Sequence, residues 1–141
     1  MQIAILSFFH YFTLMFKKRE SVFEVEEGKF LSPKFDGDGL IPVTTSDSSS
    51  GEILMHGYMN EEALKKTIET KEAYYWSRSR KNIWHKGKTS GFVQKVIDLR
   101  IDDDQDSLWM SVDIGNGASS LHFQYPLTSI MNPDHHLFLN Q

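Results

Sequence analysis

Alternation of apolar and polar residues in the second half of the chain restricts its fold more than any other feature. A period of two is the signature of β-strands with one buried face. The apolar positions are Val93, Ile97, Leu99 and Ile101, then Leu108, Met110, Val112 and Ile114, then Leu121, Phe123 and Tyr125. The residues that alternate with them are mostly polar: Gln94, Asp98, Arg100, Trp109, Ser111, Asp113, Ser120, His122 and Gln124. An Asp-rich segment and Gly115-Asn116-Gly117 separate the runs, so we expect a three-stranded antiparallel meander.

The first half predicts a hairpin followed by a helix. Gly37, Gly39 and Pro42 precede one apolar run, and the polar segment 46–51 joins it to a second run at 52–58. Asn60 is a plausible N-cap for a helix ending near Thr70. Its inward residues would be Leu64 and Ile68, and its solvated ion pairs Glu61 with Lys65 and Glu62 with Lys66. The expected class is α+β: a β-rich antiparallel sheet or roll with one or two short helices.

Charge and cysteine content exclude several kinds of protein. A formal net charge of -4 and a pI near 5.8 argue against a general nucleic-acid or membrane-surface binder, which would need a basic excess. No cysteine occurs among the 141 residues, which excludes disulfides and thiolate metal sites in this sequence. That composition fits a reducing compartment, and we expect a cytoplasmic protein.

The apolar N-terminus, residues 1–16, reads as an extension to a single domain at 17–141. It is shorter than the roughly 20 apolar residues that span a bilayer, and no cation precedes it as in a secretory signal. A second start at Met15 is at least as plausible as a docked amphipathic segment. The first fourteen residues are therefore predicted to be dispensable.

The window from Tyr75 to Gln94 combines aromatic, cationic and hydroxyl side chains suited to a phosphorylated nucleotide. Its cations can neutralise phosphates, its glycines let backbone amides approach closely, and a tryptophan can stack on a purine. The candidate ligands are Trp76 or Trp84, Arg78, Arg80, Lys86 and Lys88, with the hydroxyls of Ser77, Ser79, Thr89 and Ser90. From the residues alone, a charged hairpin with two core tryptophans explains the same window.

The acidic run at 102–106 is a candidate metal site. If the strand continues through Asp106, its period sends Asp102, Asp104 and Asp106 to one face and Asp103 to the other. Three carboxylates on one face suit magnesium or a similar hard ion. The alternative is a solvated acidic turn, which is commoner for an isolated run of aspartates.

An ordered series of motifs resembles the phosphoribosyl-AMP cyclohydrolases of histidine biosynthesis. They are Tyr-Trp-Ser-Arg-Ser-Arg at 75–80, Trp-x-Lys-Gly-x-Thr-Ser-Gly at 84–91 and Val93-Gln94, within a resemblance that covers Phe30 to Ala118. The resemblance implies an intertwined homodimer with active sites completed across the interface. It implies hydrolytic opening of an adenine ring, with substrate bound by Trp76, Arg78, Ser79, Arg80, Lys86, Thr89 and Ser90. It also implies that Asp102, Asp104 and Asp106 bind Mg²⁺.

The chain departs from the family pattern where that pattern requires cysteine. The family motif Asp-Cys-Asp-x-Asp supplies a zinc ligand at the position of Asp103, and its two further cysteines would fall at Ser119 and near Pro126. We therefore expect a divergent, cysteine-free paralogue. Its catalytic metal, Zn²⁺, Mn²⁺ or Fe²⁺, would be held by Asp103 and His122, with His56 and His135-His136 as weaker candidates. A non-catalytic nucleotide-binding or regulatory paralogue, and hydrolysis of another purine nucleotide, stay open.

Overall fold

A computed structural model describes residues 16–116. Residues 1–15 of the apolar extension, His122, the tail and the third strand predicted at 120–125 lie outside the described residues. The elements are α1 (Val22–Glu26), β1 (Leu40–Asp47), β2 (Ile53–Asn60), α2 (Glu61–Thr70), β3 (Tyr74–Ser77), β4 (Asn82–His85), β5 (Lys95–Ile101) and β6 (Leu108–Asp113). No helix within residues 16–116 is long and apolar enough to cross a membrane.

Four strands form one sheet in the order β2-β1-β6-β5, and β3 with β4 forms a separate hairpin. The predicted pairing of β1 with β2 is confirmed, as is the antiparallel pairing of β5 with β6. The second edge of β6 is occupied by β1, which runs parallel to it with Val43 opposite Leu108. The α+β class is therefore confirmed, with a mixed rather than wholly antiparallel sheet.

The core lies between one face of this sheet, α2 and the β3–β4 hairpin. Ile41, Val43, Met59 and Met110 are fully buried there, and α2 adds Leu64. The helix begins as predicted, because the Asn60 side-chain oxygen accepts a hydrogen bond from the Ala63 amide at 2.8 Å. The predicted ion pairs of its solvent face, Glu61–Lys65 and Glu62–Lys66, are also present.

The predicted orientation of two residues near β5 was wrong. Gln94 was expected on the solvent face but is 3% exposed, whereas Ile97 was expected inside but is 65% exposed. The pairing of β5 with β6 shifts between Val96 and Asp98, so Ile97 is an extra residue in the ladder. A β-bulge breaks the period of two, and the alternation on its two sides is no longer in phase.

The two tryptophans of the β3–β4 hairpin are not core residues, contrary to the structural alternative for this window. Trp84 is 36% exposed, whereas Tyr75, its partner across the hairpin, is 1% exposed. Tyr75 packs over Gly57 of β2, where a Cβ atom would lie 2.9 Å from the tyrosine ring. The hairpin is thus attached to the sheet through Tyr75, and both tryptophans are partly accessible.

A candidate nucleotide groove and an acidic turn

The acidic run forms a turn, not a continuation of β5. The strand ends at Ile101, so the expected alternation along an extended strand was wrong. The Gln105 amide donates to the Asp102 carbonyl at 3.0 Å, and the Asp102 amide donates to the Ser107 carbonyl at 3.1 Å. Gln105 has a φ of 57°, which reverses the chain there. The turn nevertheless brings the three predicted carboxylates together.

One carboxylate oxygen from each of Asp102, Asp104 and Asp106 lies within 4.8 Å of the other two. Partial burial opposes ionisation of Asp102, but hydrogen bonds from the Ser107 and Asp106 amides outweigh it and lower its pKa. The pKa of Asp106 is raised by desolvation, by its hydrogen bond with Asp102 and by the nearby charge of Asp104. Carboxylates crowded in this way are a set of oxygen donors that fits a hard divalent cation.

Of the residues proposed for a second, catalytic metal, His122 lies outside the described residues, whereas Asp103 and His56 lie on different parts of the fold. Asp103 is exposed and is not part of the acidic group. His56 lies elsewhere, on β2, where its Nδ1 atom is 3.4 Å from the Thr44 hydroxyl. Within residues 16–116, the aspartate triad is the one group of three or more potential ligands, so the described residues alone do not complete a substitute zinc centre.

A groove of about 410 Å³ lies between β2 and the β3–β4 hairpin. Trp76, Arg78 and Ser79 line it, three of the predicted substrate-binding residues. The remaining lining residues are Met55, His56, Gly57, Tyr58, Tyr75, Ser77 and Trp84. The Arg78 guanidinium lies over the Tyr58 ring, 4.2 Å from its centroid. The groove thus combines aromatic faces with a cation and hydroxyls, the mixture a nucleotide requires.

The predicted phosphate-binding residues lie at two ends of the hairpin. Arg78, Ser79 and Arg80 are at the β3–β4 turn, whereas Lys86, Thr89 and Ser90 follow β4 at the opposite end. Strands of four residues separate these ends by roughly 13 Å within one chain. The groove in one copy of the chain therefore does not contain all the predicted substrate-binding residues.

The loop after β4 depends on Gly87. A Cβ atom at this residue would lie 2.2 Å from the Phe92 carbonyl carbon, and its φ of 88° disfavours other residues. The Gly91 amide closes the loop by donating to the Gly87 carbonyl at 2.8 Å. The Ser90 hydroxyl accepts from the Phe92 amide at 3.3 Å, and the Lys86 ammonium lies 4.8 Å from the Trp84 ring centroid. This backbone shape positions Lys86, Thr89 and Ser90.

Two buried glutamines were not predicted as important. Gln94 accepts a hydrogen bond from the Tyr75 hydroxyl at 2.7 Å, and Gln105 binds backbone groups around residues 25–32. The signal for Gln94 was present in its motif, Val93-Gln94, but the period of two assigned it to solvent. Gln105 carries no such signal, because its partners lie more than 70 positions away in sequence.

The sequence model of the family described as phosphoribosyl-AMP cyclohydrolase matches residues 55–125. The phosphoribosyl-AMP cyclohydrolase of Brucella canis is 51% identical over 98 residues, which cover 70% of this chain and 70% of that protein. The chain belongs to the phosphoribosyl-AMP cyclohydrolase family. The cyclohydrolase of Rhodopseudomonas palustris strain BisB18 is 53% identical over 96 residues, 68% of this chain. The chain spans about 65% of the length of that relative. The family match extends past Ala118, where the motif resemblance ended.

Proposed function

We propose that this chain catalyses the hydrolytic opening of the adenine ring of phosphoribosyl-AMP, a step of histidine biosynthesis in the cytoplasm. The observation that carries the proposal is the groove in which Trp76, Arg78 and Ser79 of the family motif meet Tyr58 and Trp84. The names of the relatives, which describe this activity, support the choice of substrate.

Binding is the part of the reaction that the described residues explain best. Aromatic rings in the groove would stack on the purine, and Arg78 would pair with a phosphate. Lys86, Thr89 and Ser90 would bind the second phosphate, with Arg80 nearer the first. In the reaction, the oxygen of water bonds to C6, the N1–C6 bond breaks and N1 receives a proton. Fixing both phosphates would orient C6 for that attack.

We also propose that Asp102, Asp104 and Asp106 hold Mg²⁺. The proximity of their oxygens and the raised pKa of Asp106 support this assignment, because a bound cation relieves repulsion among the carboxylates. A divalent ion held there would supply positive charge and would lower the pKa of a water bound to it. Asp103 and His122 stay the proposed ligands of a second ion, Zn²⁺, Mn²⁺ or Fe²⁺, and no step is derived through it.

The proposed assembly is a homodimer. The separation of Arg78, Ser79 and Arg80 from Lys86, Thr89 and Ser90 supports it, since a second copy could bring the loop after β4 to the groove. An active site completed by two copies is what the family resemblance implies. The measurement is the molar mass in solution by light scattering, and a monomer at all concentrations would refute the assembly.

A second candidate is a non-catalytic, nucleotide-binding or regulatory paralogue, favoured by the absence of cysteine from the 141 residues. Expression of the chain in a histidine auxotroph that lacks its own cyclohydrolase separates the two candidates. Growth without histidine supports the enzyme. No growth, together with saturable AMP binding by the purified protein, supports the paralogue.

A further inference from the structure

Gln105 connects the acidic turn to the segment at 17–36, here called the N-terminal strap. Its side chain is 5% exposed although it lies between two exposed or half-exposed aspartates. The Oε1 atom accepts from the Ser32 amide at 2.7 Å, and the Nε2 atom donates to the Val25 carbonyl at 2.9 Å and the Phe30 carbonyl at 3.3 Å. Both polar atoms of the amide are therefore used by the strap.

Backbone groups add to this connection on each side of Gln105. The Lys34 amide donates to the Gln105 carbonyl at 2.7 Å. Arg19 donates from Nη2 to the Asp104 carbonyl at 2.9 Å and from Nη1 to the Ser32 carbonyl at 2.8 Å. The peptide units next to the carboxylates are thus hydrogen-bonded to the strap, although the carboxylates themselves are not.

The hydrogen bonds between the strap and the turn oppose the repulsion among the carboxylates, which would open the turn. Three carboxylates within 4.8 Å of one another repel when ionised, and the φ of 57° at Gln105 is a conformation that glutamine seldom adopts. Burial of a fully hydrogen-bonded amide stabilises this conformation, because undocking the strap would leave buried polar groups to be solvated anew. A cation bound to the carboxylates would stabilise the same conformation, because it would neutralise their charges.

We propose that docking of the N-terminal strap and binding of a divalent cation at the acidic turn are coupled through the Gln105 side chain. Gln105 is a positioning residue in this scheme, since it contacts no ligand itself. The inference rests on the proposed Mg²⁺ site. Coupling is reciprocal: the docked strap raises the affinity for the cation, and the cation raises the fraction of docked strap.

The first test is Mn²⁺ binding, followed by electron paramagnetic resonance of the free ion, with wild type and Gln105→Gly. Glycine adopts a positive φ readily, so this variant removes the side-chain anchor without straining the turn. We expect the affinity for Mn²⁺ to fall about 10-fold, within the usual range of coupling between two sites. The matched control is Thr67→Val, which removes a buried hydroxyl bonded to the Ala63 carbonyl and the Tyr74 amide, away from the turn. Its affinity should equal that of wild type.

The second test measures docking of the strap directly, by proteolysis. Lys18 and Lys29 are exposed trypsin sites within it, and cleavage there is identified by the masses of the fragments. We expect Mn²⁺ to slow cleavage of the wild-type strap several-fold and to have little effect in Gln105→Gly.

Two results would overturn the coupling: equal Mn²⁺ affinity in wild type and Gln105→Gly, or strap cleavage that Mn²⁺ does not change. Either of these leaves the proposed Mg²⁺ site intact if wild type binds Mn²⁺ more tightly than Asp104→Asn does, because that difference assigns the ion to the acidic turn. Wild type that binds no Mn²⁺ would refute both the coupling and the proposed site, so the two failures are distinguishable.

Discussion

Tyr75 shows how a single hydroxyl joins three parts of the molecule. Its oxygen lies 2.7 Å from the Thr45 hydroxyl on β1 and 2.7 Å from the Gln94 side-chain oxygen before β5. Burial raises the pKa of Tyr75, only partly offset by the hydrogen bond with Thr45, so the hydroxyl stays protonated and donates to Gln94. The wall of the groove is therefore fixed by one buried network.

Removing this hydroxyl should destabilise the protein without changing its fold. Tyr75→Phe leaves the Gln94 oxygen buried without its donor, which should lower the free energy of unfolding by about 1–3 kcal/mol. Urea denaturation measures the difference. The control Tyr58→Phe alters a half-exposed ring and should change stability much less. Equal stability of Tyr75→Phe and wild type would contradict the role of the network.

The pKa of Tyr75 also predicts a dependence on alkaline pH. The folded protein holds this proton more tightly than the unfolded chain, in which the pKa of tyrosine is about 10. The contribution to stability is thus fully present below about pH 10 and is lost as the pH rises above it. Denaturation curves of Tyr75→Phe should decline less between neutral and alkaline pH than those of wild type, and parallel declines would refute the assignment.

Removing the charge of Asp104 tests whether the acidic turn binds a metal ion. Asp104→Asn retains the size of the side chain but removes one of three clustered negative charges. We expect Mn²⁺ affinity to fall at least about 10-fold and activity to be abolished, without a loss of thermal stability in the metal-free protein, because the side chain is exposed and its charge repels the other two carboxylates. Glu69→Gln, on the exposed face of α2, is the charge-matched control. Unchanged affinity in Asp104→Asn would remove the turn from metal binding.

At the scale of the elements, two glycines test whether the loop after β4 contributes to binding. Gly87 and Gly91 both have a positive φ, but only Gly87 has backbone atoms where a Cβ would stand. Gly87→Ala should displace Lys86, Thr89 and Ser90 and weaken AMP binding at least about 10-fold, the equivalent of one charge-assisted hydrogen bond. Gly91→Ala, with open space at its Cβ, should have a smaller effect.

Tryptophan fluorescence measures this binding, because Trp76 and Trp84 line the groove. Equal AMP affinities for the two alanine variants would show that the shape of the loop does not matter for the nucleotide. Circular dichroism of both variants tests whether a lost affinity comes from a lost fold.

Local signals predicted most elements, and long-range contacts explain the errors. The Asn60 cap and the β1–β2 hairpin depend on neighbours within a few residues, so the sequence was sufficient. The bulge at Ile97 and the end of β5 depend on pairing with β6 and on the strap held by Gln105. A pattern of period two contains no information about the position of the bulge or of the end of β5.

The same distinction applies to the candidate site. The aspartates were predicted correctly as a group, although their proximity comes from a turn and not from a strand face. The division of the nucleotide residues between two ends of a hairpin could not be derived from motifs, because motifs give order along the chain and not distance.

At the scale of the whole molecule, the described contacts of the N-terminal part of the chain begin at Phe16. Phe16 packs near Phe35, with ring centroids 6.3 Å apart, and the Lys17 amide donates to the Leu31 carbonyl at 3.0 Å. A protein that begins at Met15 retains these contacts. We expect its thermal midpoint and its molar mass in solution to equal those of the full chain. Loss of the fold or of the dimer would refute the prediction that the first fourteen residues are dispensable.

The proposed enzyme activity is tested most directly by an assay of ring opening with the purified chain. The protein is stripped of metal, re-supplied with Zn²⁺, Mn²⁺, Fe²⁺ and Mg²⁺ singly and in pairs, and assayed with phosphoribosyl-AMP by absorbance. We predict turnover with at least one metal combination that includes Mg²⁺ or Mn²⁺, and none in Asp104→Asn under the same conditions. Absence of turnover with every metal, by a protein that still binds AMP, would contradict the proposed enzyme and favour the non-catalytic paralogue.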